Sequence, residues 1–458
     1  MKTLLTLFLS SALLHAAPAK PNIVMILADD LAQGDLGCYG QKQIKTPNLD
    51  RMAAEGTRYT QAYAGTSLCA PSRTSLMTGL DMGISPVRGN REIPASQSPF
   101  GAGQLPLPQD TVTVAEILKS SGYATACMGK WGMGQFDTSG SPLKKGFDHF
   151  FGYNGQVHAH SYFPTYLHND EARVEMPENA GGKKVNYAPN LIQKDLLSWV
   201  RKNHEKPFFL FSATTLPHGA YEIDDLGEYA AREGWSEQQK IYAAMVSRLD
   251  RDVGELLDLL KELKIDGNTL VILVGDNGSS FAEKSPIGAF FDQSMGGKLR
   301  GYKRSMYEGG LRQAAISRWP GVVPAGRVSD EPWAFWDFLP SAAELVGGTI
   351  PSRCKTRGLS LVGFLKGGPA PKRDFFYWEL HEKPGFMQAV RFGDWKAVKN
   401  GPSSPIELYD LGKDSAESKN LASANPELVA KAEGLLKSAR VDDPNWPITK
   451  RSKPGKNK

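Results

Sequence analysis

The feature that most constrains the fold is a repeated alternation of short apolar runs with longer segments of helical periodicity. Asn22 to Leu27, Tyr123 to Met128, Pro207 to Ser212 and Thr269 to Val274 read as buried strands. The intervening helices have readable starts. Thr113-Val114-Ala115-Glu116 fits a capping box for a helix through Lys119, and Ser236 to Gln239 fits a second. The second box opens a long amphipathic helix with Ile241, Met245, Leu249, Val253, Leu256, Leu257 and Leu260 on one side, ended by Asp266-Gly267-Asn268. This order predicts an α/β sheet with helices on both faces, spanning residues 20–370.

From Pro371 the pattern changes. Phe375 to Tyr377, Met387 to Arg391, Trp395 to Val398 and Glu407 to Asp410 read as short strands joined by turns, followed by a helix from Pro426 to Ser438. Residues 371–445 are therefore expected to form a small antiparallel α+β domain. At the start, Lys2, the apolar stretch Leu4 to Leu14 and the small residues after it read as a signal peptide over residues 1–19, predicting an exported protein, periplasmic or secreted. No later segment is long and apolar enough to span a bilayer. At the other end, residues 446–458 are expected to form a mobile basic tail. Lys450 to Lys458 carries five positive side chains and no acid, and without them the basic and acidic residues balance. The formal charge of +5 is thus a tail property, and no nucleic-acid motif accompanies it.

The chemistry concentrates in a few places. Cys69-Ala70-Pro71-Ser72-Arg73 sets a reactive side chain just before Pro71, a favoured first helical position, and the helix-compatible run Ser72 to Met77. Free backbone N–H groups at a helix start stabilise an anion, and Arg73 adds a fixed guanidinium. In an open α/β sheet, ligands bind beyond the carboxyl ends of strands. Asp29 and Asp30 follow the first strand, Asp276 and Asn277 follow Val274, and His218 follows Ser212. Singly, each aspartate motif also reads as a turn or cap. Converging, three carboxylates would repel unless a cation lay among them, and oxygen donors favour Ca²⁺ or Mg²⁺ over zinc. The loops from Pro86 to Leu107 and from Ser279 to Gly301 are placed to frame a pocket.

These motifs, in this order, resemble the type I sulfatases. Cys69 to Arg73 matches the family signature C-x-P-S-R, in which the cysteine is oxidised to formylglycine, whose hydrated aldehyde is the nucleophile. Asp29-Asp30 matches the first metal motif, and Asp276-Asn277-Gly278 the second. Gly122 to Thr125 leading to Gly129-Lys130-Trp131, Pro217-His218, and Leu299-Arg300-Gly301-Tyr302-Lys303 followed by Tyr307 to Arg312 match further segments. The resemblance implies an alkaline-phosphatase-like mixed sheet flanked by helices. It implies a metal held by Asp29, Asp30, Asp276, Asn277 and residue 69. It also implies sulfate oxygens held by the metal and Arg73, charge held by Lys130 and Lys303, and a leaving alcohol protonated by His218. A formylglycine-generating or sulfatase-maturating enzyme is the implied partner. Oxidation of Cys69 would leave Cys38, Cys127 and Cys354, enough for one disulfide at most.

One departure stands out. Many sulfatases read G-K-W-H-x-G, with a histidine contacting the formylglycine, where this chain has Gly129-Lys130-Trp131-Gly132-Met133-Gly134. His158 and His160, in Val157-His158-Ala159-His160-Ser161-Tyr162, are expected to enter the space at Gly132 as a base or as sugar contacts, and Arg300 is a third substrate-binding candidate. The combination G-K-W-G with A-H-x-Y-x-P is similar to bacterial polysaccharide sulfatases, some acting on galactose or N-acetylgalactosamine 4-sulfate. A sulfated carbohydrate is therefore the expected substrate. A phosphomonoesterase or phosphonate monoester hydrolase of the same fold is the nearest alternative, and a non-catalytic glycan-binding descendant a third.

Overall fold

The computed structural model describes residues 20–448, except Ala102, Lys383 and Pro384. The expected signal peptide and the lysine-rich end beyond residue 448 lie outside the described residues. The main body is built on an 11-stranded sheet. Its central strands are β1 (Asn22–Ala28), β2 (Thr57–Tyr63), β3 (Ala124–Lys130), β4 (His149–Tyr153), β5 (Phe208–Ala213), β6 (Thr269–Gly275) and β7 (Arg312–Arg318). They lie side by side in the order β2-β7-β6-β1-β5-β3-β4. From β6 to β4 the pairs are parallel, whereas β7 runs antiparallel to both β6 and β2. The sheet is thus mixed, and its parallel centre points the carboxyl ends of β1, β3, β5 and β6 to the same edge.

Side-chain alternation along the buried strands divides the core into two layers. Val24 and Ile26 of β1, with Leu210 of β5 and Val271 of β6, pack on one face against α3 (Ala188–Asn203) and α4 (Glu237–Glu262). Ile23, Met25 and Leu27, with Phe209, Phe211 and Ile272, pack on the other against α1 (Cys69–Thr78), α2 (Val114–Ser120) and α5 (Phe338–Val346). Both expected capping boxes form. Thr113 Oγ1 accepts from Glu116 N at 3.2 Å while Glu116 accepts from Thr113 N at 2.8 Å, and Ser236 and Gln239 repeat the exchange. Helix α1 begins at Cys69, two residues before the position that Pro71 alone marks, because Leu68 already has extended, helix-capping backbone angles.

The C-terminal part is a four-stranded antiparallel sheet, β8 (Phe376–Glu382), β9 (Gly385–Phe392), β10 (Trp395–Lys399) and β11 (Glu407–Asp410), with α6 (Pro426–Ala439) behind it. It shares a core with the main body. Trp378, Phe376, Val398 and Tyr409 pack with Tyr63, Leu68 and Leu311. Strand β8 also grips the segment leading into α1: Trp378 Nε1 donates to the Ala64 carbonyl at 3.0 Å, and Thr66 Oγ1 donates to the Glu379 carbonyl at 3.0 Å. The expected tail boundary at residue 446 is too early. Trp446 is buried, its indole donates to the Pro86 carbonyl at 2.7 Å, and its ring lies on His381.

Beneath the joint lies a fully buried ion triad. Lys396 sits 2.8 Å from Glu308 and 2.9 Å from Glu417. Burial pushes both carboxyls up. Lys396, Arg312 and Arg391 overcome it at Glu308, holding that group at about 2, whereas Glu417 stays high. Removing the shared cation leaves a buried carboxylate without its partner, so Lys396→Met should cost about 3–5 kcal/mol of stability in chemical denaturation. A loss below about 1 kcal/mol would show that the triad does not hold the joint.

Candidate active site

The site is assembled at the carboxyl edge of the parallel strands. Asp29 and Asp30 leave β1, Asp276 and Asn277 leave β6, Lys130 ends β3, and His218 lies shortly beyond β5. The turn after β1 is tight: Asp30 takes a positive φ of 63°, and its N–H donates to Asp276 Oδ1 at 3.1 Å. The pairing of β1 with β6 therefore brings the two aspartate motifs together without further parts.

Three buried cations face three buried carboxylates. Lys130 Nζ lies 2.6 Å from Asp29 Oδ2, and Lys303 Nζ lies 2.7 and 2.9 Å from the two oxygens of Asp30. Arg73 donates to Asp276 Oδ2 through Nε at 3.1 Å and Nη2 at 2.9 Å. Burial raises all three acids, and the outcome differs with the partners. Lys130, His218, Arg73 and Lys303 overcome it at Asp29, whose carboxyl stays well below the usual range. Lys303 and His218 do the same at Asp30. At Asp276, burial and the neighbouring Asp29 prevail over Arg73, and the carboxyl is pushed up to about 7.

Cys69 sits at the positive end of α1 with its Sγ 3.7 Å from Asp29 Oδ1. Burial pushes this thiol up to about 12, so an unmodified Cys69 is protonated at neutral pH and a poor nucleophile. His218 donates from Nδ1 to the Gly219 carbonyl, which leaves Nε2 as its working nitrogen, 3.5 Å from Asp30 Oδ2. Both long loops reach the cluster: Asn90 Oδ1 accepts from Ala70 N at 3.2 Å, and Ser280 Oγ donates to Asp30 Oδ2.

The structure thus brings Cys69, Arg73, Lys130, His218, Lys303, Asp29, Asp30, Asp276 and Asn277 into one group. Four expectations change. Arg73 lies wholly beneath the carboxylates, with its remaining donor Nη1 on the Lys130 carbonyl at 3.0 Å, so its nitrogens already serve protein acceptors rather than standing open to an oxyanion. Arg300 does not face the cluster. Its guanidinium lies over the Tyr307 ring and donates to Tyr409 Oη and the Glu417 carbonyl, at the joint with the C-terminal sheet. Of the two histidines, His160 stacks on His218, with ring centroids 4.6 Å apart, while His158 packs between Tyr153 and Tyr166. Neither fills the space at Gly132. A Cβ there would meet the side-chain amide of Gln156 at 2.0 Å. Sequence reasoning missed Gln156, although it closes the polar run Asn154-Gly155-Gln156 just past the carboxyl end of β4, beside Lys130. All four cysteines are unpaired.

The family model described as Sulfatase matches residues 21–348, and one described as N-sulphoglucosamine sulphohydrolase, C-terminal, matches residues 300–441. The chain belongs to the sulfatase family. It is 34% identical over 446 residues to N-acetylgalactosamine-6-sulfatase of Canis lupus familiaris, covering 91% of this chain and 79% of that protein. It is also 34% identical over 485 residues to human arylsulfatase A, covering 96% and 91% respectively. Among solved structures, Ps i-CgsB in complex with k-i-k-neocarrahexaose superposes with a TM-score of 0.79 at 28% identity, covering 94% of this chain and 95% of that one. The protein is accordingly a sulfuric ester hydrolase. No helix among the described residues is long and apolar enough to cross a membrane.

The packing of His158 has a measurable consequence. Burial and the nearby His168 lower its pKa to about 4. The unfolded chain takes up the proton first, so this group's contribution to stability falls as pH drops from about 6.5 towards 4. NMR titration should show a His158 ring neutral from pH 5 to 8. A midpoint near 6.5, assigned with His158→Asn, would contradict the packing.

Proposed function

We propose that this sulfatase removes sulfate from a sulfated carbohydrate, using residue 69 in its formylglycine form together with a bound divalent cation. The observation that carries the reading is the convergence of Cys69, at the N-terminus of α1, with four oxygen-donor side chains and two lysines at the ends of the parallel strands. Sugar-directed relatives support the substrate class: one is named for N-acetylgalactosamine 6-sulfate chemistry, and another was solved with a neocarrahexaose bound.

The donor set fits a hard cation. Asp29, Asp30 and Asp276 converge, and Asn277 Oδ1 is buried without a hydrogen-bond partner, an orphaned acceptor that a cation would satisfy. Cys69 Sγ and a His218 nitrogen also lie within 4.8 Å of the Asp29 and Asp30 oxygens, a mixed set that would admit zinc. The additional oxygen donors Asp276 and Asn277 favour Ca²⁺, with Mg²⁺ second. When present, the formylglycine hydrate supplies an oxygen nucleophile for sulfur, and the cation polarises the sulfate oxygens.

The chain's own residues do the rest. Arg73 neutralises and aims Asp276 and Asp29, which fixes the direction of the carboxylate oxygens. Lys130 and Lys303 are already charge-paired, and a cation among the acids would give the site net positive charge, ready for an oxyanion. The two lysines then hold charge on the sulfate oxygens as the sulfur–oxygen bond to the sugar breaks. His218, with its Nδ1–H on the Gly219 carbonyl, gives the departing alcohol the Nε2 proton of its imidazolium; burial lowers the ring's pKa, while Asp29 and Asp30 favour the charged form. We also propose that the protein is exported.

Three measurements test the reading. Peptide mapping of active protein, made with a formylglycine-generating enzyme, should show an aldehyde at position 69. Cys69→Ala should lower sulfate release on the order of 10⁴-fold or more without lowering Tm, since it removes a nucleophile and not a core contact. Full activity with an unmodified thiol, or faster cleavage of phosphate esters than of every sulfated sugar tried, would overturn the assignment. Exhaustive chelation should abolish sulfate release, with Ca²⁺ restoring it. An Asp276→Ala enzyme that stays fully active after chelation would remove the metal from the account.

A further inference from the structure

We propose that the Gln156 side-chain amide binds a tetrahedral oxyanion of the substrate, in the space where many sulfatases carry a histidine. The inference deepens the sulfatase reading and rests on it for the identity of the oxyanion.

The observation is an amide that the protein does not use. Gln156 is only 3% exposed, yet neither its Nε2 nor its Oε1 has a hydrogen-bond partner. A buried primary amide left without partners costs roughly 1–3 kcal/mol, so it normally finds protein, water or ligand. The Gln156 backbone lies beside the strand end that carries Lys130. The pairing of β3 and β4 runs on past both strand ends, with Trp131 N on the Tyr153 carbonyl at 3.0 Å and Gly132 N on the Asn154 carbonyl at 3.1 Å. Residues 154–156 therefore leave the sheet beside Lys130, whose ammonium is on Asp29. Four residues further on, His160 stacks on His218, which faces Asp30. Gln156 lies on the loop that connects these two sides of the site.

Gly132 is the complement. It holds φ at 72°, and any Cβ there would collide with the Gln156 amide. Glycine at 132 and glutamine at 156 are thus one device: the first gives up its side chain, and the second sends an amide into the vacated volume. The chemistry changes with it. A carboxamide offers two N–H donors and a carbonyl acceptor, and it neither accepts nor releases a proton near neutral pH. It is a binding group, which, of the two roles expected at this spot, excludes the base and keeps the sugar contact. A sulfated sugar suits both ends, since sulfate accepts hydrogen bonds only and the neighbouring sugar hydroxyls can donate them.

The test uses the matured, calcium-loaded enzyme and inorganic sulfate as probe, with thermal protection as the readout. Gln156→Met keeps the length of the side chain and removes both polar ends. A structural amide would lose stability on this change. An amide without protein partners loses none, so the variant's Tm without sulfate should equal or exceed that of wild type. The sulfate concentration giving half-maximal protection should rise at least about tenfold, and kcat/KM on the sulfated substrate should fall in parallel. Gly132→Ala should weaken sulfate protection as well, by displacing the amide. A Gln156→Met enzyme that binds sulfate like wild type, or that melts several degrees lower without it, would overturn the proposal. If phosphate protects wild type, sulfate does not, and Gln156→Met loses the phosphate effect, the oxyanion role stands while the sulfatase reading falls.

Discussion

Everything at the working edge of this protein depends on how three buried carboxyl groups are held against three buried cations. Taking Asp29, Asp30 and Asp276 out of water together is unfavourable, and their mutual repulsion adds to the cost. Lys130, Lys303 and Arg73 offset it from three different parts of the chain, each within about a hydrogen bond's reach of its acid. The balance is uneven, and Asp276 is left near neutral pH while Asp29 is held low. A divalent cation among these oxygens would relieve the repulsion that burial has created. The same network gathers the oxygen donors on which the proposed metal site rests.

The C-terminal sheet belongs to this arrangement. Its first strand pins the segment from Ala64 to Thr66, immediately before the helix that carries Cys69. Its third strand contributes Lys396 to the triad with Glu308, and Glu308 also accepts from the hydroxyl of Tyr63, at the end of β2, at 2.7 Å. Arg300 closes the joint from the other side. The small domain thus fixes where the helix that carries Cys69 starts, and a disturbance of its packing would be felt at residue 69 although, among the described residues, none of that sheet enters the carboxylate cluster.

Much of the site was legible in the sequence because its residues follow strand ends. A run such as Thr269 to Val274 can only be a buried strand, and a polar pair directly after it can only lie at the sheet edge. That reasoning finds Asp276 and Asn277, Asp29 and Asp30, and His218. It fails where a residue's neighbours come from a distant segment. Arg300 sits in a run of family-like residues, and only the packed joint shows its guanidinium on Tyr307 and Tyr409. Arg73 reads as an open anion contact until the acids are seen to occupy its nitrogens. Gln156 closes a polar run after a strand end, but its meaning comes from an absence at Gly132, which only the packed structure brings beside it.

The sequence by itself determined the alternating α/β plan, the helix starts at Thr113 and Ser236, the small C-terminal sheet and the membership of most of the site. These are set by short-range physics: apolar periodicity, capping and the direction of a strand. Only the tertiary structure decided which cation meets which acid, which histidine reaches the cluster and what fills the space at Gly132. Those outcomes depend on ångström-scale distances between segments far apart in the chain. The energies that select them, ion pairing and desolvation in a buried site, act through space and leave no periodic trace in the order of residues.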